Sequence, residues 1–179
     1  MDRTDAEREQ HHHLAEKQGG VLREALDEML NHVARYGNLT DAGDYLVAIA
    51  IDEAEGMWMP NGDGTIHWHE PVEEEANAHL EVAVLDKDTG RFVPGLKVEA
   101  TILGPDGKVI GTKEQPFVWH PWLLHYGRNW KLPGDGPYEV HILIHPAPFP
   151  RYDKEHGNCF TEIAEVEFGD VELRREQAV

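Results

Sequence analysis

The strongest constraint on this chain is a change of hydrophobic period near residue 44. Before it, Val21, Leu22, Ala25, Leu26, Met29, Leu30 and Val33 recur at i, i+1, i+4, i+5 and i+8, the spacing of one apolar helix stripe. The pattern predicts a helix over 6–36, ended by Gly37-Asn38 and divided at Gly19-Gly20, because paired glycines weaken helix interiors. After Asp44 the apolar residues alternate or cluster in short β-branched runs at 45–54, 65–70, 78–85, 95–104, 107–113, 137–145 and 160–168. Turn chemistry separates them, as in Asn61-Gly62-Asp63-Gly64, Asp88-Thr89-Gly90, Gly104-Pro105-Asp106-Gly107 and Pro133-Gly134-Asp135-Gly136. Such spacing predicts a mainly β fold, an antiparallel sandwich behind an N-terminal helical extension: an arm over 1–40 and a β domain over 44–179. A helix this apolar on one side must cover a sheet of its own sandwich or meet a second copy, so a homodimer is an expectation.

Composition narrows the functional classes. The formal net charge is -18, from 34 acidic and 16 basic side chains, which argues against a nucleic-acid partner because phosphate binding requires a basic surface. Acidity favours solubility first and cation collection second. The single cysteine, Cys159, excludes an internal disulfide and a Cys-rich zinc framework. Neither a bilayer-spanning apolar run nor an apolar signal core is visible, so the sequence as written reads as cytoplasmic. Asn38-Leu39-Thr40 matches a glycosylation sequon but is better explained as a helix-exit turn.

Twelve histidines are the unusual feature. His11-His12-His13 lies in the helical arm, where consecutive side chains point to different sides and cannot all ligate one ion. His67 and His69 alternate on a strand and share a face, as a bidentate site requires. His79 and Glu81 share one strand face while Leu80 and Val82 turn to the other, so a nitrogen and an oxygen ligand point together. Between 114 and 132 lies a stretch holding three of the five tryptophans and too irregular for one strand; it carries His120 and His125. His141 and His145 flank Leu143 on a further strand, before Pro146, Pro148 and Pro150 force an extended exit.

Several of these segments together resemble a known family. His79-Leu80-Glu81, His125-Tyr126-Gly127-Arg128-Asn129, and the run from Leu132-Pro133-Gly134 through Tyr138-Glu139-Val140 to Ile144-His145-Pro146 resemble the periplasmic ferrous-iron transport proteins. The resemblance covers roughly 78–146. It implies an immunoglobulin- or cupredoxin-like sandwich, usually dimeric, that binds copper or iron in support of a membrane iron permease. By resemblance His79, Glu81 and His125 fall on the family's metal ligands. Two positions depart from the pattern: Val118 stands where the family has a methionine ligand, and Leu143 where it has a further histidine. His120 offers a borderline nitrogen near the first gap, which favours divalent iron, copper or zinc, and His141 and His145 lie on the same face as Leu143, about 7 Å along the strand.

The leading expectation is therefore a non-catalytic protein that binds a divalent first-row metal ion, iron or copper with zinc a further candidate, for uptake or handling. Its site is His79, Glu81, His120 and His125, with His141, His145, His67 and His69 as additional candidates. Affinity should fall as pH drops through about 6.5, where a free imidazole takes up a proton. The competing expectation is a metal-independent interaction module using Trp119, Trp122 and Trp130. A metal-dependent oxidase or hydrolase ranks last: the sequence has no Ser-His-Asp order, no His-Glu-x-x-His and no phosphate-binding glycine loop.

Overall fold

A computed structural model describes residues 5–72, 75–152, 154 and 157–173. Helix α1 (Asp5–Glu28) continues into one π turn (Met29–Val33), closed by Ala34 N donating to Met29 O at 2.9 Å. Eleven strands follow among the described residues: β1 (Tyr36–Ala42), β2 (Tyr45–Asp52), β3 (Met57–Pro60), β4 (Ile66–His69), β5 (Ala78–Asp86), β6 (Val98–Leu103), β7 (Val109–Gln115), β8 (Phe117–Val118), β9 (His125–Trp130), β10 (Tyr138–Ile144) and β11 (Ala164–Val171). They form a five-stranded sheet in the order β1-β2-β5-β9-β8, a four-stranded sheet in the order β11-β10-β6-β7, and a separate β3-β4 hairpin. All pairings are antiparallel.

The two larger sheets make the expected sandwich. Val47, Ile49 and Ile51 of β2, Leu80, Val82 and Val84 of β5, Tyr126 and Trp130 of β9, and Val140, Ile142 and Ile144 of β10 fill the space between them. The outer face of the five-stranded sheet is covered as well. There Leu26, Met29, Leu30 and Ala34 pack on Leu46, Ala48, Ala50, Ala83, Leu85 and Leu123. The helix thus covers its own sheet. Its buried stripe is narrower than the sequence implies, since Val21 and Val33 stay exposed. β2 and β5 are consequently removed from water on both faces, β5 over eight consecutive residues.

Three boundaries differ from expectation. Gly19-Gly20 does not divide the helix. A Cβ on Gly19 would come 1.9 Å from Thr89 O, so this glycine lets the helix backbone lie against the Thr89-Gly90 turn, and that tertiary contact outweighs its poor helix propensity. The sheet starts at Tyr36 and not after Asp44, because β1 pairs along its whole length with β2 through the two-residue turn Gly43-Asp44, so the arm's last residues belong to the sandwich. Within 114–132, β8 and β9 are strands, with β9 hydrogen-bonded to both β5 and β8. The outermost residues of the two ranges expected from the sequence lie outside the described residues.

Docking of the helix predicts a stability effect. Leu26 is 2% exposed against the outer sheet face, so Leu26→Ala should lower unfolding free energy in urea by about 2–5 kcal/mol through lost transfer energy and a residual cavity. A change below about 0.5 kcal/mol, the size of an ordinary surface substitution, would show that the helix does not pack there in solution.

Candidate metal centre

The period of two along β5 turns Leu80 and Val82 into the sandwich, leaving His79 and Glu81 on the outer face, at the end the helix does not fill with apolar side chains. β9 is oriented by Tyr126, whose ring joins the inner core and whose hydroxyl donates to Val93 O at 2.7 Å and accepts from Leu96 N at 3.0 Å. With Tyr126 facing inward, His125, Gly127 and Asn129 must face outward. Register then sets Gly127 opposite Glu81 and Asn129 opposite His79.

Ligand atoms of His79, Glu81 and His125 all lie within 4.8 Å of one another, and the three residues are 1%, 4% and 1% exposed. Each imidazole has its tautomer fixed. Asn129 Nδ2 donates to Glu55 O at 2.8 Å, which turns Asn129 Oδ1 toward His79; that oxygen accepts from His79 Nδ1 at 2.8 Å. His125 Nδ1 donates to the Leu123 carbonyl at 3.1 Å. Both rings therefore present the Nε2 lone pair, the atom a metal takes, and the partners on Nδ1 hold the rings in place. Gly127 supplies the floor beneath them: a Cβ there would sit 2.8 Å from His79 Nε2 and 3.1 Å from His125 Nε2.

Electrostatics agree with an ion-accepting cluster. Burial pushes the Glu81 carboxyl up to about 8, helped by the negative fields of Glu55 and Asp52. Burial also pushes the His125 imidazole down to about 4, and lowers His79. At neutral pH all three groups are uncharged, so the 3.8 Å approach of His125 Nδ1 to Glu81 Oε2 is not an ion pair. His125 Nε2 and Glu81 Oε2 are buried without a hydrogen-bond partner. Two orphaned ligand atoms in one cluster are what a cation would satisfy. An apolar shell of Leu26, Met29, Leu30, Ala50, Ala83 and Leu123 closes the side of Glu81 and His125 that faces the helix.

The other candidates are placed apart. His120 neighbours the cluster, its ring 5.8 Å from His125 and 5.4 Å from Trp122, with Nδ1 buried and unpartnered, but it is not among the three converging groups. His141 and His145 do not approach the site. They lie on the outer face of the four-stranded sheet, across the sandwich, because Val140, Ile142 and Ile144 occupy the inward positions of β10. There His141 lies with Glu139 and Glu167, and His145 Nε2 contacts Glu99 Oε2. His67 and His69 sit on the exposed β3-β4 hairpin. In the arm, His12 lies 3.5 Å from both Glu16 and Asp88, and His13 3.6 Å from Glu16. The tryptophan cluster is also dispersed: Trp119 and Trp122 are exposed, but Trp130 is buried in the core. Sequence reading missed Asn129 and Gly127 as site residues, although both belong to the quoted His-Tyr-Gly-Arg-Asn run; their roles depend on which neighbour each faces across the sheet.

Two imidazoles and a carboxyl aimed at one point on a β-sandwich form a candidate metal centre. The sequence model of the Fe2+ transport protein family matches residues 28–171, and the chain belongs to that family. The fold is similar to a copper-bound variant of FetP from uropathogenic Escherichia coli, with TM-score 0.59, 22% identity and coverage of 80% of this chain and 95% of that one. FetP as isolated matches with TM-score 0.58 and 23% identity over 77% and 95% of the two chains. The copper-reconstituted P19 protein of Campylobacter jejuni matches with TM-score 0.58 and 20% identity over 78% and 96%. No curated protein sequence matches the chain. The cytoplasmic expectation is corrected by these comparisons: the as-isolated FetP was expressed in the periplasm, and the absence of a visible leader carries no weight against that.

The crowding over Gly127 gives a direct test. Gly127→Ala places a methyl group where the two Nε2 atoms meet, and Asn129→Leu removes the acceptor that orients His79. Each should weaken metal affinity about 10–100-fold in a competition titration with the fold retained by circular dichroism. Wild-type affinity in both variants would count against this cluster.

Proposed function

We propose that the His79, Glu81 and His125 cluster is the site at which this member of the Fe2+ transport protein family binds its ion, Fe2+ or copper, as cargo and without catalysing a reaction. The observation that carries this reading is the convergence of both Nε2 lone pairs over Gly127 beside an orphaned Glu81 oxygen. Imidazole and carboxylate suit first-row divalent ions. Copper is supported by the copper-bound state of the FetP variant and of P19, iron by the family. His120 is the nearest further nitrogen, adjacent to His125, and supplies a fourth ligand by a side-chain rotation. Zinc fits the same donors. Carriage requires a recipient, and a membrane iron permease fits the family's transport role. A homodimer, the form the resemblance implies, is read out by sedimentation.

Burial changes the pH dependence expected of free imidazole. Burial lowers both imidazoles, His125 to about 4 and His79 below its usual range, so at neutral pH the group that competes with the metal is Glu81, protonated below about 8. Binding must displace that proton. Apparent affinity should rise about tenfold per pH unit toward pH 8 and then level, with one proton released per ion in calorimetry. Glu81→Gln should weaken binding and flatten the profile. A break near 6.5 in the wild type would instead assign the competition to an ordinary imidazole.

Elemental analysis after loading with iron(II), copper(II) or zinc tests the assignment itself. The His79→Ala, His125→Ala double variant should lose one ion per chain; unchanged stoichiometry would sink the site.

A further inference from the structure

Between β2 and β5 the chain leaves the sandwich to form the β3-β4 hairpin. Its register pairs Met57 with His69, Trp58 with Trp68, and Met59 with His67. Directly opposed residues in an antiparallel pair share a face, and the next residue along each strand points the other way. One face therefore carries Met57, Met59, His67 and His69. The other carries Trp58 and Trp68, whose rings pack edge to face with centroids 5.9 Å apart.

We propose that the first face is a second metal site, open to solvent, that binds a soft monovalent cation, cuprous copper, through two thioethers and two imidazoles. Directly opposed Cβ atoms lie about 4.5–5.5 Å apart and positions two along a strand about 7 Å apart, a rectangle small enough for four side chains to reach one ion. Methionine reaches it easily, having three rotatable bonds, and thioether donors select Cu(I) over hard cations. Exposure fits this role: Met59 is 38% exposed and both histidines are exposed, so an ion can arrive without any part of the fold opening.

A second observation prepares one of the imidazoles. The Thr65 hydroxyl has one hydrogen and donates it to Asp63 Oδ1 at 2.6 Å, so its oxygen accepts from His67 Nε2 at 2.9 Å. The ring hydrogen is thereby placed on Nε2, and Nδ1 is left with its lone pair, oriented by a carboxylate-hydroxyl relay of the kind that supports metal-bound histidines. The buried cluster contains no sulfur donor among its three groups, so the two sites differ in the ion they prefer. The hairpin site stands whether or not the buried cluster binds an ion.

The test is an anaerobic titration of the full chain with Cu(I) in competition with a chromophoric Cu(I) chelator. Wild type should take up at least one Cu(I) that Met57→Leu, Met59→Leu lacks, and His67→Gln, His69→Gln should lack the same ion. These substitutions fall outside both cores, so folding is retained. In the His79→Ala, His125→Ala variant the hairpin ion should remain; losing it there as well would overturn an independent hairpin site. Silver(I), a redox-inert probe, should shift the Met57 and Met59 methyl resonances in NMR. Equal Cu(I) stoichiometry and affinity in Met57→Leu, Met59→Leu, or unmoved methyl resonances, would overturn the proposal.

Discussion

The structure depends on β5 being out of water on both faces. Its inward side chains make the sandwich core with the four-stranded sheet, and its outward ones meet the helix at one end and the ligand cluster at the other. Burying a polar side chain is unfavourable unless it is paired or uncharged. That constraint determines the chemistry of the cluster. Glu81 holds its proton and the imidazoles shed theirs, so at neutral pH three titratable groups occupy a buried space as neutral species. At neutral pH, ionisation of Glu81 becomes favourable when a cation arrives to share the space.

The same constraint explains the glycines and amides around the cluster. Two rings can converge in a closed space only if something small lies beneath them, which Gly127 provides, and only if each ring is held on its far side, which Asn129 and the Leu123 carbonyl provide. The helix adds apolar closure through Leu26, Met29 and Leu30. Fold and site are thus one problem of burial, solved by strand register on one side and by a docked helix on the other.

The sequence made some of this legible and hid the rest for identifiable reasons. Strands β2, β5 and β10 were visible because β-branched and aliphatic residues recur there, and the common face of His79 and Glu81 follows from the two-residue period alone. Period gives two faces but cannot say what covers either one. For that reason His141 and His145 looked able to join the cluster, although they lie across the sandwich from it. β1 and β9 were hidden because Tyr-Gly-Asn-Leu-Thr-Asp-Ala and His-Tyr-Gly-Arg-Asn-Trp carry turn-forming or polar residues where a sheet strand usually carries apolar ones. Gly19-Gly20 read as a break because propensity is local, whereas the Thr89-Gly90 turn it accommodates is remote in sequence.

The Asn129 side chain has one more partner than His79. Its amide nitrogen donates to the Glu55 carbonyl, and its amide oxygen accepts from Glu55 N at 3.3 Å, at the root of the β3-β4 hairpin. The excursion that carries the exposed methionines and histidines is therefore tied, through one carboxamide, to the orientation of a buried ring. Shortening or swapping that excursion would leave every core strand intact and still unfasten His79. Evolution and protein engineers alike are free to redecorate the hairpin's tip, but its base is a fixed mechanical anchor of the cluster on the outer face of the five-stranded sheet.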